Sequence, residues 1–248
     1  MADYNERYQT SVQGRAGVRE GIDEGLRSFM LGIYNNMALG LAITGLAALG
    51  TNILAVDQGG LTPLGAALYT SPLKWVIMFA PLLFVFGFSA GVNRMAPSTA
   101  RLVFFAFAAV MGVSMSWIFL VFTGSSIVQT FFVTAAAFGS LSLWGYTTKR
   151  DISGWGSFLF MGLIGVILAS IVNLFLVSSA LQFAVSVIGV LVFAGLTAYD
   201  TQRLKNTYDY VAHDATAAGR ASIIGALQLY LDFINLFMFL LQFLGNRE

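Results

Sequence analysis

The sequence predicts an all-α integral membrane protein, a bundle of seven transmembrane helices with its N-terminus in the cytoplasm. Three observations predict it: a composition too apolar to dissolve, seven apolar runs long enough to cross a bilayer, and a one-sided alternation of lysine and arginine between them. Hydrophobic residues make up 57% of the 248 and charged ones 10%, where a soluble domain carries roughly 25% charged residues. Lipid solvates the apolar side chains that water would reject.

The apolar runs cover approximately 29–54, 73–93, 102–122, 127–147, 155–178, 181–203 and 221–244. A spanning helix takes ~20 predominantly apolar residues, so the chain is used up by seven spans and short links. Residues 1–27 are read as a short polar cytoplasmic extension and 28–248 as the transmembrane domain. The third and fourth runs are parted only by Thr123-Gly124-Ser125-Ser126, the fifth and sixth by a serine pair. Links this short make antiparallel neighbours. Within hydrocarbon every N–H and C=O needs a partner, so the spans are helices.

Orientation follows from the basic residues. With the N-terminus inside, the cytoplasmic side collects Arg7, Arg15, Arg19, Arg27, Arg94, Arg101, Lys149, Arg150, Arg203, Lys205 and Arg220. Only Lys74 and Arg247 remain of the 13 Lys and Arg residues. This is the positive-inside pattern of an odd number of spans, and it places the C-terminus outside. The 26 glycines suit close helix packing, with Gly87 and Gly91 a small-xxx-small pair on the second span.

The chain has no cysteine, which excludes disulfides, thiolate metal sites and thiol catalysis. Its one histidine, His213, stands in a polar link near Asp209 and Asp214 without metal-ligand companions. Gly87-Phe88-Ser89-Ala90-Gly91 has the G-x-S-x-G spacing of serine hydrolases, but that motif works on a strained strand-to-helix turn. Here it lies inside a membrane helix, and no enzyme is expected.

Polar side chains inside the spans carry the functional reading, because lipid makes them costly. Asp232 lies in the seventh span about a dozen residues past Arg220, or ~18 Å at 1.5 Å per residue. An aspartate near mid-membrane costs ~2.5 kcal/mol or more, so it needs a partner, a proton or water. Gln228, Asp232, Asn235 and Gln242 share one helix face, a polar stripe that must face the bundle interior or a wet cavity. Interhelical hydrogen bonding and a place in an ion pathway are both open for the amides. Asn173, in the fifth span, is read as a packing amide.

The second acid is Asp200, at the cytoplasmic end of the sixth span, one turn from Arg203. If the sixth helix continues to about Lys205 before turning, the two carboxylates can meet, a contact that the sequence permits without establishing. A link of roughly 206–220 makes the last two helices neighbours. Two carboxylates in a low-dielectric site share a proton. Fully ionised, they attract a hard divalent cation, yet calcium takes about six to eight oxygens. Two aspartates with amide carbonyls and water make a weak, transient calcium site, which suits conduction better than storage.

Ala194-Gly195-Leu196-Thr197-Ala198-Tyr199-Asp200-Thr201-Gln202 and Leu229-Tyr230-Leu231-Asp232-Phe233-Ile234-Asn235-Leu236-Phe237 resemble the two signature segments of the Bax inhibitor-1 (transmembrane Bax inhibitor motif) family, in its bacterial branch. The resemblance runs from the first helix onward. It implies a seven-helix fold with the C-terminal helix central, in a bacterial inner membrane, and a pH-dependent calcium leak. It also implies that Asp200 and Asp232 form the pH-sensing pair, and that an arginine at the end of the second helix latches the closed state. Arg94 fits that role, with Arg101 the alternative. Unlike some relatives, this chain has no acid between Phe79 and Gly91.

The implied partners are the lipid bilayer, calcium ions and protons, with no tightly bound cofactor and no nucleic acid. The competing reading is a non-conducting membrane interaction protein, which restrains another membrane complex such as a protease or a cell-death factor.

Overall fold

A computed structural model of the chain describes residues 2–58 and 60–247, with side chains described from residue 24 onward except at residue 93. The side chains of Arg7, Arg15 and Arg19 therefore lie outside the described ones. Its helices are α1 (Ala2–Ala55), α2 (Pro63–Tyr69), α3 (Leu73–Gly91), α4 (Pro97–Met115), α5 (Gly124–Thr147), α6 (Trp155–Leu176), α7 (Ser179–Val211) and α8 (Ala215–Leu244). Among the described residues, seven of these are long and apolar enough to cross a membrane, all but α2. The all-α, seven-span architecture read from the sequence is the one observed.

Helix ends follow local chemistry. Thr123 caps α5 by accepting from Ser126 N at 3.3 Å, and Ser178 caps α7 by accepting from Leu181 N at 3.3 Å. Asp214 caps α8, taking N–H bonds from Thr216 at 2.8 Å and Ala217 at 3.1 Å. Each cap satisfies donors that the first helical turn leaves unpaired. The last turn of the third span is a 3-10 segment, Ser116–Leu120. A two-residue hairpin, Val56–Asp57 with Gly60–Leu61, precedes α2, and hydropathy gave no sign of either.

The largest departure from expectation concerns α7. It runs past Arg203 to Val211, and α8 begins at Ala215, so the expected link over 206–220 is a three-residue turn holding His213. Residues 206–211 are polar and include no glycine or proline to stop the helix. It leaves lipid without ceasing to be helix.

α8 is the most enclosed span: 67% of its most apolar stretch is buried, against 11% for α3 and for α6. It packs against α1, α4, α5 and α7. Tyr230, fully buried, stands edge-on to Phe104 and Phe107 of α4 with ring centres 5.6 and 5.7 Å apart. Such aromatic pairs contribute about 0.5–1.5 kcal/mol each. Thr44 Oγ1 of α1 donates to the Ala108 carbonyl at 2.9 Å and lies 2.7 Å from the Tyr230 hydroxyl, so one polar knot joins α1, α4 and α8.

The two ends of α8 are tied to opposite faces of the bundle. Arg220 Nε donates to Met95 O at 2.7 Å in the α3–α4 turn. Asn246 N donates to Ser126 Oγ at 3.0 Å, and Thr123 N to Asn246 O at 3.1 Å, beside the α4–α5 turn. The α3–α4 and α4–α5 links thus lie on opposite faces, as successive crossings require.

Glycine packing falls elsewhere than expected. A side chain at Gly87 would meet nothing, so this residue is not a helix contact. The close approaches are at Gly112, where α4 lies against the Thr44 carbonyl of α1, and at Gly145, where α5 lies against the Ala198 carbonyl of α7. Absence of a Cβ lets backbones approach closely, and hydropathy cannot show which glycine faces a neighbour.

Candidate functional site

The site is built on α7 between residues 197 and 203. Gly145 lets α5 come against Ala198, and two threonines turn their hydroxyls back onto the helix, Thr197 to Phe193 O and Thr201 to Thr197 O, each at 2.7 Å. The Thr201 hydroxyl also meets Ser142 Oγ of α5 at 2.9 Å, and Ser142 meets the Tyr34 hydroxyl of α1 at 2.5 Å. Gln202 holds the α5–α6 connection, accepting from Ile152 N at 3.0 Å and donating to Arg150 O at 2.8 Å. Lys205 Nζ donates to Tyr146 O at 2.9 Å. These contacts fix the rotation of α7, which the sequence did not reveal.

So held, α7 presents Asp200 to α8. Asp200 and Asp232 are 6% and 5% exposed, and their carboxyl groups lie within hydrogen-bonding reach of each other. Gln228 Nε2 donates to Asp200 Oδ1 at 3.3 Å. Among the described residues no N–H or O–H donor reaches Asp232 Oδ2. Its polar neighbour is another carboxyl group, so a hydrogen bond between the two requires a proton on one of them. The condition set by the sequence, continuation of the sixth helix to about Lys205, is exceeded by almost two turns.

The polar stripe of α8 turns toward α6 and α7. Gln228, Asp232 and Asn235 line a cavity of about 690 Å³ that also touches Asp200 and Arg203. Asn235, with Nδ2 donating to Leu231 O at 2.8 Å, also lines a neighbouring cavity of about 780 Å³ with Gln242. Gln242 Oε1 accepts from Ser186 Oγ of α7 at 3.4 Å. Asn173 is more than a packing amide. Its side chain accepts from Ser178 N at 3.0 Å, closing the α6–α7 turn, and it lines the second cavity.

Arg94 is not brought to the pair. It stands exposed at the end of the Val92–Arg94 3-10 turn, and Arg101 is exposed on α4. Among the described residues, the cation whose charge reaches Asp200 is Arg203, three residues on along α7, which also lines the first cavity. Ser89 lies inside α3 on its exposed side. Gln202 and the Tyr34–Ser142–Thr201 hydroxyl series were not singled out in the sequence. Thr201 and Gln202 have the signal that they directly follow Asp200, whereas Tyr34 and Ser142 lie far from it in the sequence and carry none.

Residues 26–248 match the family model described as inhibitor of apoptosis-promoting Bax1. The chain belongs to the Bax inhibitor-1 family. A Caulobacter vibrioides protein is 47% identical, and one from Rickettsia prowazekii 45% identical, each alignment covering the whole of both chains. Inner membrane protein YbhL of Escherichia coli is 45% identical over 98% of each chain. With seven apolar spans and an inner-membrane relative, this member of the Bax inhibitor-1 family is a multi-pass inner-membrane protein.

Proposed function

We propose that the protein is a proton-sensitive, calcium-permeable leak of the inner membrane, with Asp200 and Asp232 as the sensor and as the ion's stepping point. One observation carries this reading: two carboxyl groups meet between two adjacent spanning helices, one with an oxygen that no donor among the described residues satisfies. Intramembrane acids are costly and mark ion or proton pathways, and membership of the family supports the same assignment.

A proton shared by the pair bridges α7 and α8. Its loss leaves two like charges facing each other in a poorly screened place, which pushes the helices apart and attracts a divalent cation. The oxygens on hand come from two carboxylates, the Gln228 and Asn235 amides and water. Among the described residues no group of three or more His, Asp or Glu side chains could hold a metal ion. That donor set lets calcium pass without retaining it. Arg203, beside Asp200, takes over the counter-ion part that the family resemblance gave to Arg94. No catalytic step belongs to this reading.

The test is calcium entry into liposomes containing the purified protein and an internal indicator, followed across pH. The parent chain should leak to an extent that varies with pH, and Asp232→Asn should leave a leak that no longer follows pH. Unaltered pH dependence in that variant removes the sensor.

A further inference from the structure

α1 and α5 touch near one face of the bundle, where the Tyr34 hydroxyl meets Ser142 Oγ. Toward the opposite face a cavity of about 280 Å³ is lined by both helices. α8 supplies Phe233 and Phe237 to it, both buried, and the 3-10 segment after α4 supplies Ile118. Gly45 of α1 and Val128 and Phe132 of α5 also line it and are exposed. Its mouth therefore faces sideways, between two spanning helices and into lipid.

Its depth is that of one leaflet. Phe132 lies eight residues past Gly124 on α5, and Phe233 eleven residues before Leu244 on α8, or ~12 and ~17 Å along the two helices. Half of the ~30 Å hydrocarbon is ~15 Å. The cleft runs from near the α4–α5 turn to about mid-membrane.

Its chemistry is the reverse of that beside Asp232. Thr44 has the only polar side chain in the lining, and its hydroxyl is already engaged by Ala108 O and the Tyr230 hydroxyl. Water finds no partner there, and apolar cavities stay dry. Left empty, the walls forfeit dispersion contacts. A side chain at Gly45 would meet nothing within 4 Å, so the room extends to the α1 backbone. A cation stands at the α4–α5 end. Arg247 is exposed, with its guanidinium 5.7 Å from the centre of the Phe122 ring. Its neighbour Asn246 bonds Ser126, next to the lining residue Ile127. A guanidinium in that place suits a phosphate at headgroup level.

We propose that the cleft holds one acyl chain of an anionic phospholipid from the leaflet on the Asn246 side, with the lipid phosphate at Arg247. The chain lies between α1 and α5, against the aromatic floor that α8 provides, and completes packing that the protein leaves unfinished. This site is separate from the carboxyl pair and does not rest on the leak reading.

The test uses purified protein in liposomes that contain a trace of phosphatidylglycerol with a diazirine midway along one acyl chain. Illumination attaches that chain to whatever it touches, and peptide mass spectrometry locates the adducts. A retained chain gives roughly tenfold denser adducts at 41–48 and 127–132 than at Leu168 and Phe175, which are exposed on α6. That ratio corresponds to about 1.4 kcal/mol of preference over bulk lipid. Gly45→Trp, which fills the cleft from an open position, should bring the adducts down to the α6 level. Val128→Trp at the mouth should do the same, and it stands in should the first variant fail to fold. Gly87→Trp, at an open position on α3, should leave the labelling intact. Arg247→Gln should lower it several-fold. Adducts spread evenly over the exposed helices would overturn the site, leaving an ordinary lipid annulus only. Fewer adducts there than on α6 would overturn it too, the cleft then being covered by protein. Excess labelling that survives both tryptophans, or that ignores Arg247→Gln, contradicts the placement of the chain or of its phosphate.

Discussion

Asp200 and Asp232 face each other across the α7–α8 interface, and Gln228, one turn before Asp232, donates its amide to Asp200 at 3.3 Å. The amide occupies one oxygen of Asp200 and leaves the carboxyl pair to settle its remaining contact with a proton. Asp200 is pinned from behind by Gln202 and by the Thr201–Ser142 contact, so the pair has little room to separate without moving α7 as a unit. The proposed sensor is therefore coupled to helix position by its packing.

Gly145 sets that packing. A methyl group there collides with the Ala198 carbonyl, two residues from Asp200. Overpacking of a tight contact costs typically about 1–3 kcal/mol. Gly145→Val should lower the thermal unfolding midpoint in detergent and also shift the flux–pH curve, because α7 carries Asp200 of the proposed sensor. Gly87→Val, at an open position on α3, should change neither.

Val177 closes α6 in the left-handed region at φ 48°. A β-branched residue is strained there by about 1–2 kcal/mol, and Asn173 holds the turn through its bond to Ser178 N. Val177→Gly should raise the unfolding midpoint, and Asn173→Ala should lower it. Thermal melts in one detergent compare the two directly.

Asp151 lies in the α5–α6 link, and Ser153 holds its carboxyl below the ordinary value of 3.8 through side-chain and backbone hydrogen bonds. With the folded value depressed, any stabilisation is complete above the unfolded value. It is lost only as pH falls through the folded one. That window lies below 3.8, outside the range of about pH 5–8 where physiological switches act. Asp151→Asn should therefore leave the shape of the flux–pH curve in that range unchanged. A shifted curve would assign the pH response to the link.

Much of this was legible in the sequence. Seven spans follow from apolar length, and Asp232 stands out because hydrocarbon tolerates no lone carboxylate. The stripe through Gln228, Asn235 and Gln242 follows from helical spacing. What the sequence hid depends on rotation and on water. The run from Asn206 to Val211 is polar, so hydropathy ends the span, but a polar helix is stable beyond the lipid and carries α7 on to its turn with α8. Which arginine faces Asp200 depends on the angle of each helix about its own axis. Arg203 is fixed by sharing α7 with Asp200, while Arg94 ends a helix packed mainly against α4 and α2. Gly87 and Gly145 look alike in sequence, and only the neighbour decides which one packs.

The most direct measurement is a double-mutant cycle on the pH response of calcium flux, using Asp200→Asn, Asp232→Asn and both together in the same liposomes. Two residues that act as one proton-holding unit show non-additive effects. Each single variant should abolish the pH response as fully as the double variant does. A double variant that still follows pH, or single effects that simply add, would contradict a shared proton between Asp200 and Asp232 as the origin of the response.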